Sequence, residues 1–316
     1  MPLAADSTIW HSQNFIRSVS VARRIVRLAH LTGNDLVVEV GPGRGIITKE
    51  LSKVCRYLIA VEYDRSLYHY LKRSLGKTEN LDLVCADFRR YDLPGREYKV
   101  FASIPFEITS DIMTKITGSR LPTEAYLIMQ MEAARRFAGH PYDRESLRSL
   151  LIKARFELAI LHAFRRTDFW PTPKADVVLL RLRKRCRPIL AAEEDRKYRD
   201  LLCFAFSEQG PDVAARLGRI LTSRQITRLA RDSGFSVSAR VVDLSFPQWV
   251  AVFRYYLTGV VGRKQKLVEG AERRLFRRQA GLTKIHRSRA RPGWLRWVES
   301  SDRDLHRDSR VGGVPL

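Results

Sequence analysis

Apolar residues between positions 36 and 62 fall into two short runs that flank a glycine-rich break. The first run is Leu36–Val40, the break is Gly41-Pro42-Gly43-Arg44-Gly45, and residues of helical spacing lead to a second run at 58–61. Short runs rich in β-branched residues predict strands, whereas apolar residues three or four positions apart predict a helix. The segment therefore predicts a strand, a glycine turn, a helix and a second strand.

A glycine turn between a strand and a helix is typical of sites where a nucleoside-bearing ligand approaches the backbone closely. Glu62 ends the second predicted strand 21 positions after Gly41, where its carboxylate is placed to accept hydrogen bonds from ribose hydroxyls. The turn and the acid alone are compatible with a nicotinamide or flavin site, with S-adenosylmethionine, or with a tight structural turn. We expect Gly41, Gly43 and Glu62 to bind the cofactor.

Strands and helices continue to alternate downstream, which predicts a Rossmann-like, doubly wound α/β sheet with ligands at the carboxyl ends of its strands. Gly41, Glu62, Asp87 and Ser103 all fall at such ends. A change to period-two spacing at 159–164 and 177–182 predicts a hairpin that closes the sheet. The other predicted strands are 81–85, 99–102 and 125–131, and the predicted helices are 67–75, 110–116 and 132–156, the last with a break at 139–141.

The pattern changes again after Pro188. Residues 198–256 have helical spacing with breaks at 209–211 and 233–234, which predicts a small all-helical domain. We therefore predict three parts of the chain: an α/β domain at 1–185, a helical domain at 186–261 and a basic extension at 262–316, which we expect to be flexible.

Charge sets this chain of 316 residues apart, because its formal net charge is +23. From Arg263 to Trp297 there are twelve Lys or Arg and only two Glu, with Trp294 among the arginines. Such surplus charge favours a nucleic-acid partner, since basic side chains displace counterions from phosphates and aromatic rings stack on bases. The alternatives are a generally basic protein and, for residues 300–316, a solvated tail.

The four cysteines, Cys55, Cys85, Cys186 and Cys203, form no C-x-x-C pair, so neither a zinc site nor a disulfide framework is expected. The first thirty residues lack a signal-peptide pattern, and no apolar run reaches membrane-spanning length. These features predict a reducing cytoplasm and no membrane partner. We also expect a monomer.

Ser103-Ile104-Pro105-Phe106 follows a predicted strand and fits the motif of enzymes that methylate exocyclic amines on bases. The lone pair of such an amine is delocalised into the ring, so acceptors must hold the amine in a nucleophilic geometry. The Ser103 hydroxyl and the Ile104 carbonyl are candidates to accept hydrogen bonds from its two N–H groups, while Pro105 restricts the backbone that places them. Phe106 is the candidate to stack on a flipped-out base.

The alternative for this tetrapeptide is a strand-end turn with a core phenylalanine. The glycine turn, Glu62 and Asp87 at the preceding strand ends favour the catalytic interpretation. Asp87 would then accept a hydrogen bond from the amino group of the cofactor adenine, and the Phe88 N–H would face a ring nitrogen. No metal is expected, because a sulfonium is already a good leaving group.

These motifs resemble the Erm family of 23S rRNA adenine-N6 methyltransferases, which are relatives of the 16S rRNA adenine dimethyltransferases. The likeness covers roughly residues 11–180 and continues through the helical domain at 221–225 and 248–249. The stretches that carry it are His11-Ser12-Gln13-Asn14-Phe15-Ile16, Glu39 to Gly45, Val61-Glu62, Asp87-Phe88, Ser103 to Phe106, Met129 to Phe137 and Phe169 to Val177.

The resemblance implies that Asn14, Ile16, the Gly41 turn, Glu62, Asp87 and residue 103 contact S-adenosylmethionine, and that Phe106 holds the target adenine. It also implies methylation of one unpaired adenine in the peptidyl-transferase loop of 23S rRNA, a product that blocks macrolide, lincosamide and streptogramin B binding. The chain departs from the family pattern at Ser103, where Asn is usual, and in its long extension after Gly262.

Two other functions fit the same residues. One is the 16S rRNA dimethyltransferase branch of the same fold. The other is an RNA-binding or transcription factor that keeps the methyltransferase fold without turnover, which the serine at position 103 would permit.

Overall fold

The structure, a computed structural model, describes residues 14–104 and 106–280. The residues of interest at 11–13, Pro105 and 281–316 lie outside this part, as does the side chain of Phe106. The described residues form two compact units, one of 14–134 with 158–184 and one of 135–157 with 185–280. This division differs from the predicted domains in two places, because 135–157 and 262–280 both belong to the second unit.

The first unit is built on a seven-stranded sheet with strand order β4-β3-β2-β5-β6-β9-β7, and a two-stranded ladder pairs β1 with β8. In this order the strands from β4 to β6 pair in parallel, and β9 runs antiparallel to β6. The predicted α/β fold is confirmed. The strands are β1 (Phe15–Ile16), β2 (Leu36–Val40), β3 (Tyr57–Glu62), β4 (Leu81–Cys85), β5 (Tyr98–Ser103), β6 (Pro122–Gln130), β7 (Phe156–Ala163), β8 (Phe169–Trp170) and β9 (Val177–Lys184).

Five α-helices of the described residues follow or precede these strands, and two of them begin with a side-chain cap. The Ser18 hydroxyl accepts the Ser20 N–H at 3.2 Å, and the Asp64 carboxylate accepts the Leu67 N–H at 2.9 Å. Every residue of β2 is buried, as expected for a central parallel strand covered on both faces. The helices are α1 (Val19–Leu28), α2 (Ile46–Leu51), α3 (Arg65–Leu75), α4 (Thr109–Gly118) and α5 (Met131–Ala138).

The predicted hairpin is present, with β9 lying between β6 and β7. The predicted break at 139–141 is present, since the chain leaves the helical conformation at Gly139, which has φ +59°. The predicted end of the helical segment was wrong, because Phe156 already belongs to β7, where its ring is buried. Phe156 follows a helical segment closely in sequence, so apolar spacing alone does not reveal this boundary.

The second unit is helical. Trp249 is fully buried at its centre, and the indole N–H donates to the carbonyl of Val241 at 3.1 Å. The helices are α6 (Leu147–Lys153), α7 (Asp195–Ser207), α8 (Val213–Leu217), α9 (Ser223–Ser233), α10 (Phe246–Gly259), α11 (Gly262–Val268) and α12 (Ala271–Ala280).

Helices α11 and α12 pack against this helical core, so residues 262–280 do not match the predicted flexible extension. Val268 is fully buried. Arg199 on α7 donates from Nε to the Glu272 carboxylate at 3.2 Å, and both residues are buried. The Asp200 carboxylate accepts the N–H groups of Gly270 and Glu272, each at 2.9 Å. These contacts tie the start of α12 to α7.

Within residues 14–104 and 106–280, none of the helices is both long enough and apolar enough to cross a membrane.

Candidate active site

Four neighbouring strands end at the same edge of the sheet. In the parallel registers Val40 lies beside Val61 and beside Ala102, and Glu62 lies beside Cys85. The strand order reverses at β2, since β3 and β4 lie on one side of it and β5 and β6 on the other. Such a switch point opens a crevice beyond the carboxyl ends of the strands.

The glycine turn leaves β2 at this switch point. Gly41 and Gly43 have φ values of +69° and +56°, a region that other residues enter at a cost of roughly 1–2 kcal/mol. A Cβ atom at Gly41 would lie 3.2 Å from the carbonyl oxygen of Ser103, and one at Gly43 would lie 2.9 Å from the ring of Phe15. Glycine is required here both for conformation and for close approach.

Glu62 is buried and connects the turn to the end of β3. One carboxylate oxygen accepts the Gly43 N–H at 3.1 Å, and the other accepts the Asp64 N–H at 2.9 Å. Burial raises the pKa of Glu62 above its ordinary value, although these backbone donors act in the opposite direction. Each carboxylate oxygen has two acceptor sites, so both retain capacity for a ribose hydroxyl.

Asp87 lies two residues beyond β4 and is bound by a neighbour that the sequence analysis did not single out. Arg89 donates to its carboxylate from Nη2 at 2.7 Å and from Nε at 3.0 and 3.1 Å. Burial alone would raise the pKa of Asp87, but the Arg89 hydrogen bonds and charge outweigh it and leave this pKa lowered. Asp87 is therefore held ionised as an acceptor.

The residues after Asp87 and at the end of β5 are held by the surrounding structure. Phe88 is buried, and the Lys115 ammonium lies 5.1 Å from its ring centroid. Ser103 is partly exposed, whereas Ile104 is buried and donates its N–H to the carbonyl of Ile128 at 3.0 Å. The backbone of Phe106 begins a single turn of 3-10 helix, Phe106–Ile108.

Strand β1 brings the N-terminal motif to the glycine turn. Ile16 is buried opposite Phe169, and Asn14, which precedes β1, is partly exposed. The Arg44 guanidinium lies 5.5 Å from the ring centroid of Phe15 and 5.4 Å from that of Trp170, so it makes cation–π contacts with both sides of the β1-β8 ladder. The structure thus places Asn14 and Ile16 on the segment that borders Gly43.

A family model matches the part of the chain that contains these residues. Residues 8–257 match the model described as ribosomal RNA adenine dimethylase. The chain belongs to this family. Its members are S-adenosylmethionine-dependent rRNA adenine methyltransferases, and the expected likeness to Erm-type enzymes is confirmed.

Relatives from both branches of the family resemble the chain to a similar degree. An rRNA methyltransferase of Streptomyces thermotolerans is 29% identical over 243 residues, which cover 77% of this chain and 81% of the relative. The ribosomal RNA small subunit methyltransferase A of Moorella thermoacetica is 28% identical over 258 residues, covering 77% and 90%. Among solved structures, the 23S rRNA methyltransferase ErmE superposes with a TM-score of 0.73 at 28% identity, over 78% of this chain and all of that one.

The sequence motifs assign no role to Glu39, which lies on β2 and is almost fully buried. Burial, aided by the charge of Glu62, raises the pKa of Glu39 to about 8. One of its carboxylate oxygens has no hydrogen-bond partner among the described residues. A glutamate inside an apolar strand next to a glycine turn is the sequence signal that could have identified it as a buried carboxyl.

No group of three or more metal-ligating side chains is found among residues 14–104 and 106–280. Arg89 and the Arg44 contacts are further features that the sequence analysis missed. Arg89 could have been anticipated from its position two residues after Asp87, but the joint approach of Phe15 and Trp170 to Arg44 depends on the β1-β8 pairing and is not visible in sequence spacing.

Proposed function

We propose that the chain transfers a methyl group from S-adenosylmethionine to N6 of one unpaired adenine in the peptidyl-transferase loop of 23S rRNA. The observation that carries the proposal is the side-by-side placement of the Gly41 turn, Glu62 and Ser103 at one edge of the sheet. The turn leaves room for a nucleoside against the backbone, and the adjacent strand ends in an amine-methylating motif.

The residues at this edge fit the cofactor. Glu62 offers acceptor capacity for the ribose hydroxyls, and Asp87, held ionised by Arg89, offers an acceptor for the adenine amino group. Gly41 and Gly43 give the turn its conformation, and Asn14 and Ile16 lie on the segment that borders Gly43. When bound, S-adenosylmethionine supplies an electrophilic methyl group on a sulfonium that leaves as a neutral thioether.

On the substrate side, Ser103 and Ile104 have the defined task of holding the amine. The Ser103 hydroxyl and the Ile104 carbonyl accept hydrogen bonds from its two N–H groups. The nitrogen lone pair is then free to form the new N–C bond as the C–S bond breaks. Pro105 restricts the backbone, and Phe106 stacks on the extruded adenine. One amine proton is then released to solvent, so no metal or nucleophilic side chain is needed.

In this proposal the enzyme acts as a monomer on protein-free or nascent 23S rRNA, and the modified base confers resistance to macrolides, lincosamides and streptogramin B. Support for the 23S target comes from the Erm-type motifs and from the superposition on ErmE. The comparable identity to small-subunit methyltransferases supports a second candidate, a 16S rRNA adenine dimethyltransferase.

Primer extension on total rRNA from expressing and non-expressing cells tests the target. The proposal predicts a new stop or pause at one adenine in the peptidyl-transferase loop of 23S rRNA, with no change in 16S rRNA. A modification confined to 16S rRNA would favour the second candidate. No modification in either rRNA would favour a non-catalytic RNA-binding protein.

A further inference from the structure

The helical unit contains a cavity of about 310 Å³ where the C-terminal end of α7 meets α11 and α12. This volume lies at the lower end of the range for ligand sites, roughly 300–1,000 Å³. Most of its lining residues, from Lys266 onwards, lie beyond the segment 8–257 that matches the family model. The cavity is therefore built largely by a part of the chain outside the family match.

The lining is predominantly cationic. Arg219, Lys266, Arg274 and Arg278 contribute four basic side chains, against the single carboxylate of Glu208. Glu208 is already paired, since its carboxylate accepts from Arg219 Nη1 at 2.9 Å. The net charge of the lining therefore favours an anionic ligand.

Two of these cations have no partner in the described part of the chain. Arg274 donates to the carbonyls of Leu267 and Glu269, so it caps the end of α11. By contrast, neither the Lys266 nor the Arg278 side chain makes an ion pair or hydrogen bond with any other residue of 14–104 and 106–280. Their charges are available to a ligand.

The rest of the lining is uncharged. Ser207, at the end of α7, is part of it, but its hydroxyl oxygen is closed to solvent and therefore to a ligand in the cavity. Phe204 and Leu275 add an apolar wall that suits the carbon face of a sugar.

We propose that this cavity binds a phosphodiester and the adjoining ribose of the RNA backbone, with Lys266 and Arg278 neutralising the phosphate. The inference rests on the proposed function in that the RNA is the rRNA substrate. It adds a specific contact point on α11 and α12 that the family match does not contain. Contacts of this kind position RNA without reading its sequence.

Helix α12 provides a matched control. Arg273 and Arg277 are exposed arginines of the same helix that do not line the cavity. The double variants Lys266→Ala/Arg278→Ala and Arg273→Ala/Arg277→Ala therefore remove the same charge from the same region. If RNA is held by general electrostatic attraction, both double variants should lose the same RNA affinity. If the cavity is a specific site, only Lys266→Ala/Arg278→Ala should lose much affinity.

The test is filter binding of the full-length chain to a single-stranded rRNA fragment across a range of salt concentrations. For Lys266→Ala/Arg278→Ala we expect about tenfold weaker binding and a salt slope smaller by about 1 to 2, as for one or two lost phosphate contacts. For Arg273→Ala/Arg277→Ala we expect less than about a threefold loss. Equal losses in the two variants, or none in the first, would overturn the proposal.

Glu208→Gln gives an independent check, because removing the only acidic group of the lining is expected to tighten RNA binding. Weaker or unchanged binding in this variant would count against the site. Circular dichroism confirms that each variant is folded. Since filter binding does not depend on turnover, a wild-type chain that methylates neither rRNA would defeat the proposed function while the comparison of variants still reports on the cavity.

Discussion

Gly41 packs directly against Ser103, such that a Cβ atom at Gly41 would lie 3.2 Å from the carbonyl oxygen of Ser103. One residue belongs to the turn proposed to border the cofactor, and the other to the motif proposed to hold the target amine. Parallel pairing of β2 with β5 imposes this proximity, since Val40 and Ala102 are register partners. We therefore expect cofactor binding and amine positioning to be coupled through the backbone.

Substitution at Gly41 tests this packing. Gly41→Ala places a side chain at φ +69° and against a backbone carbonyl, so we expect S-adenosylmethionine affinity to fall at least about tenfold from strain of roughly 1–2 kcal/mol plus displacement of the turn. Isothermal titration measures the affinity. Gly95→Ala is the matched control, because a Cβ atom at Gly95 meets no other atom within 4 Å. Similar affinities in the two variants would show that the turn does not border the cofactor.

The motif at 103–106 predicts a separation of binding from transfer. Phe106→Ala should abolish methyl transfer while leaving S-adenosylmethionine affinity within about twofold, because the ring acts on the adenine and not on the cofactor. Transfer is followed with radiolabelled cofactor, and Phe106→Tyr should restore part of the rate. Equal loss of transfer and cofactor affinity would mean that the role assigned to Phe106 is incorrect.

The buried carboxyl of Glu39 predicts a pH dependence of stability. Its pKa is raised from 4.5 to about 8, so between these values the folded state holds a proton that the unfolded state has released. The free energy of unfolding should therefore decrease as pH rises through this window, by at most about 1.4 kcal/mol per pH unit.

Glu39→Gln keeps the shape of the side chain but does not titrate, so its free energy of unfolding should not show this decrease. The variant should therefore become more stable relative to the wild type as pH rises from 5 toward 8. Urea denaturation without cofactor at several pH values measures the difference. Glu79→Gln, at an exposed glutamate, is the control and should keep the wild-type slope. A wild-type slope in Glu39→Gln would contradict the assignment.

The contacts of α12 predict where the chain tolerates truncation. A chain that ends at residue 261 lacks the Arg199–Glu272 ion pair, the hydrogen bonds to Asp200 and the buried side chain of Val268, and we expect its free energy of unfolding to fall by about 3 kcal/mol or more. A chain that ends at residue 280 retains these contacts and should unfold at nearly the same urea concentration as the full chain. Equal stability of the two truncated chains would show that α11 and α12 do not support the helical unit.

The chain ending at 280 also isolates the contribution of the remaining extension to RNA binding. Residues 284–296 carry five Lys or Arg and no acidic residue. Removing 281–316 should weaken RNA binding and flatten its salt dependence. An unchanged salt slope in filter binding would show that these residues make no phosphate contacts.

The parallel part of the sheet could be predicted because its strands are determined by local sequence. The runs at Leu36–Val40, Tyr57–Glu62 and Leu81–Cys85 are apolar, short and bounded by clear turns, so their type and ends could be assigned from spacing and composition. Once the alternation of strands and helices is recognised, the meeting of Gly41, Glu62 and Ser103 at one edge follows from parallel pairing.

Features that depend on tertiary contacts were not predictable in this way. The composition of 262–280 is polar and basic, which is typical of a solvated tail, yet a few residues such as Val268 and Glu272 are buried against the helical core. The salt bridge from Arg89 to Asp87 and the approach of Trp170 to Arg44 likewise require the folded backbone. Spacing identifies which residues share a face, but not which distant face they meet.

The central claim is that this edge of the sheet transfers methyl groups to N6 of an rRNA adenine. Incubating the protein separately with protein-free 23S rRNA and 16S rRNA and with radiolabelled S-adenosylmethionine, followed by nucleoside digestion and chromatography, tests it directly. The account predicts label in N6-methyladenosine or N6,N6-dimethyladenosine. Cofactor binding without label in any adenosine derivative, from 23S or 16S rRNA, would contradict it.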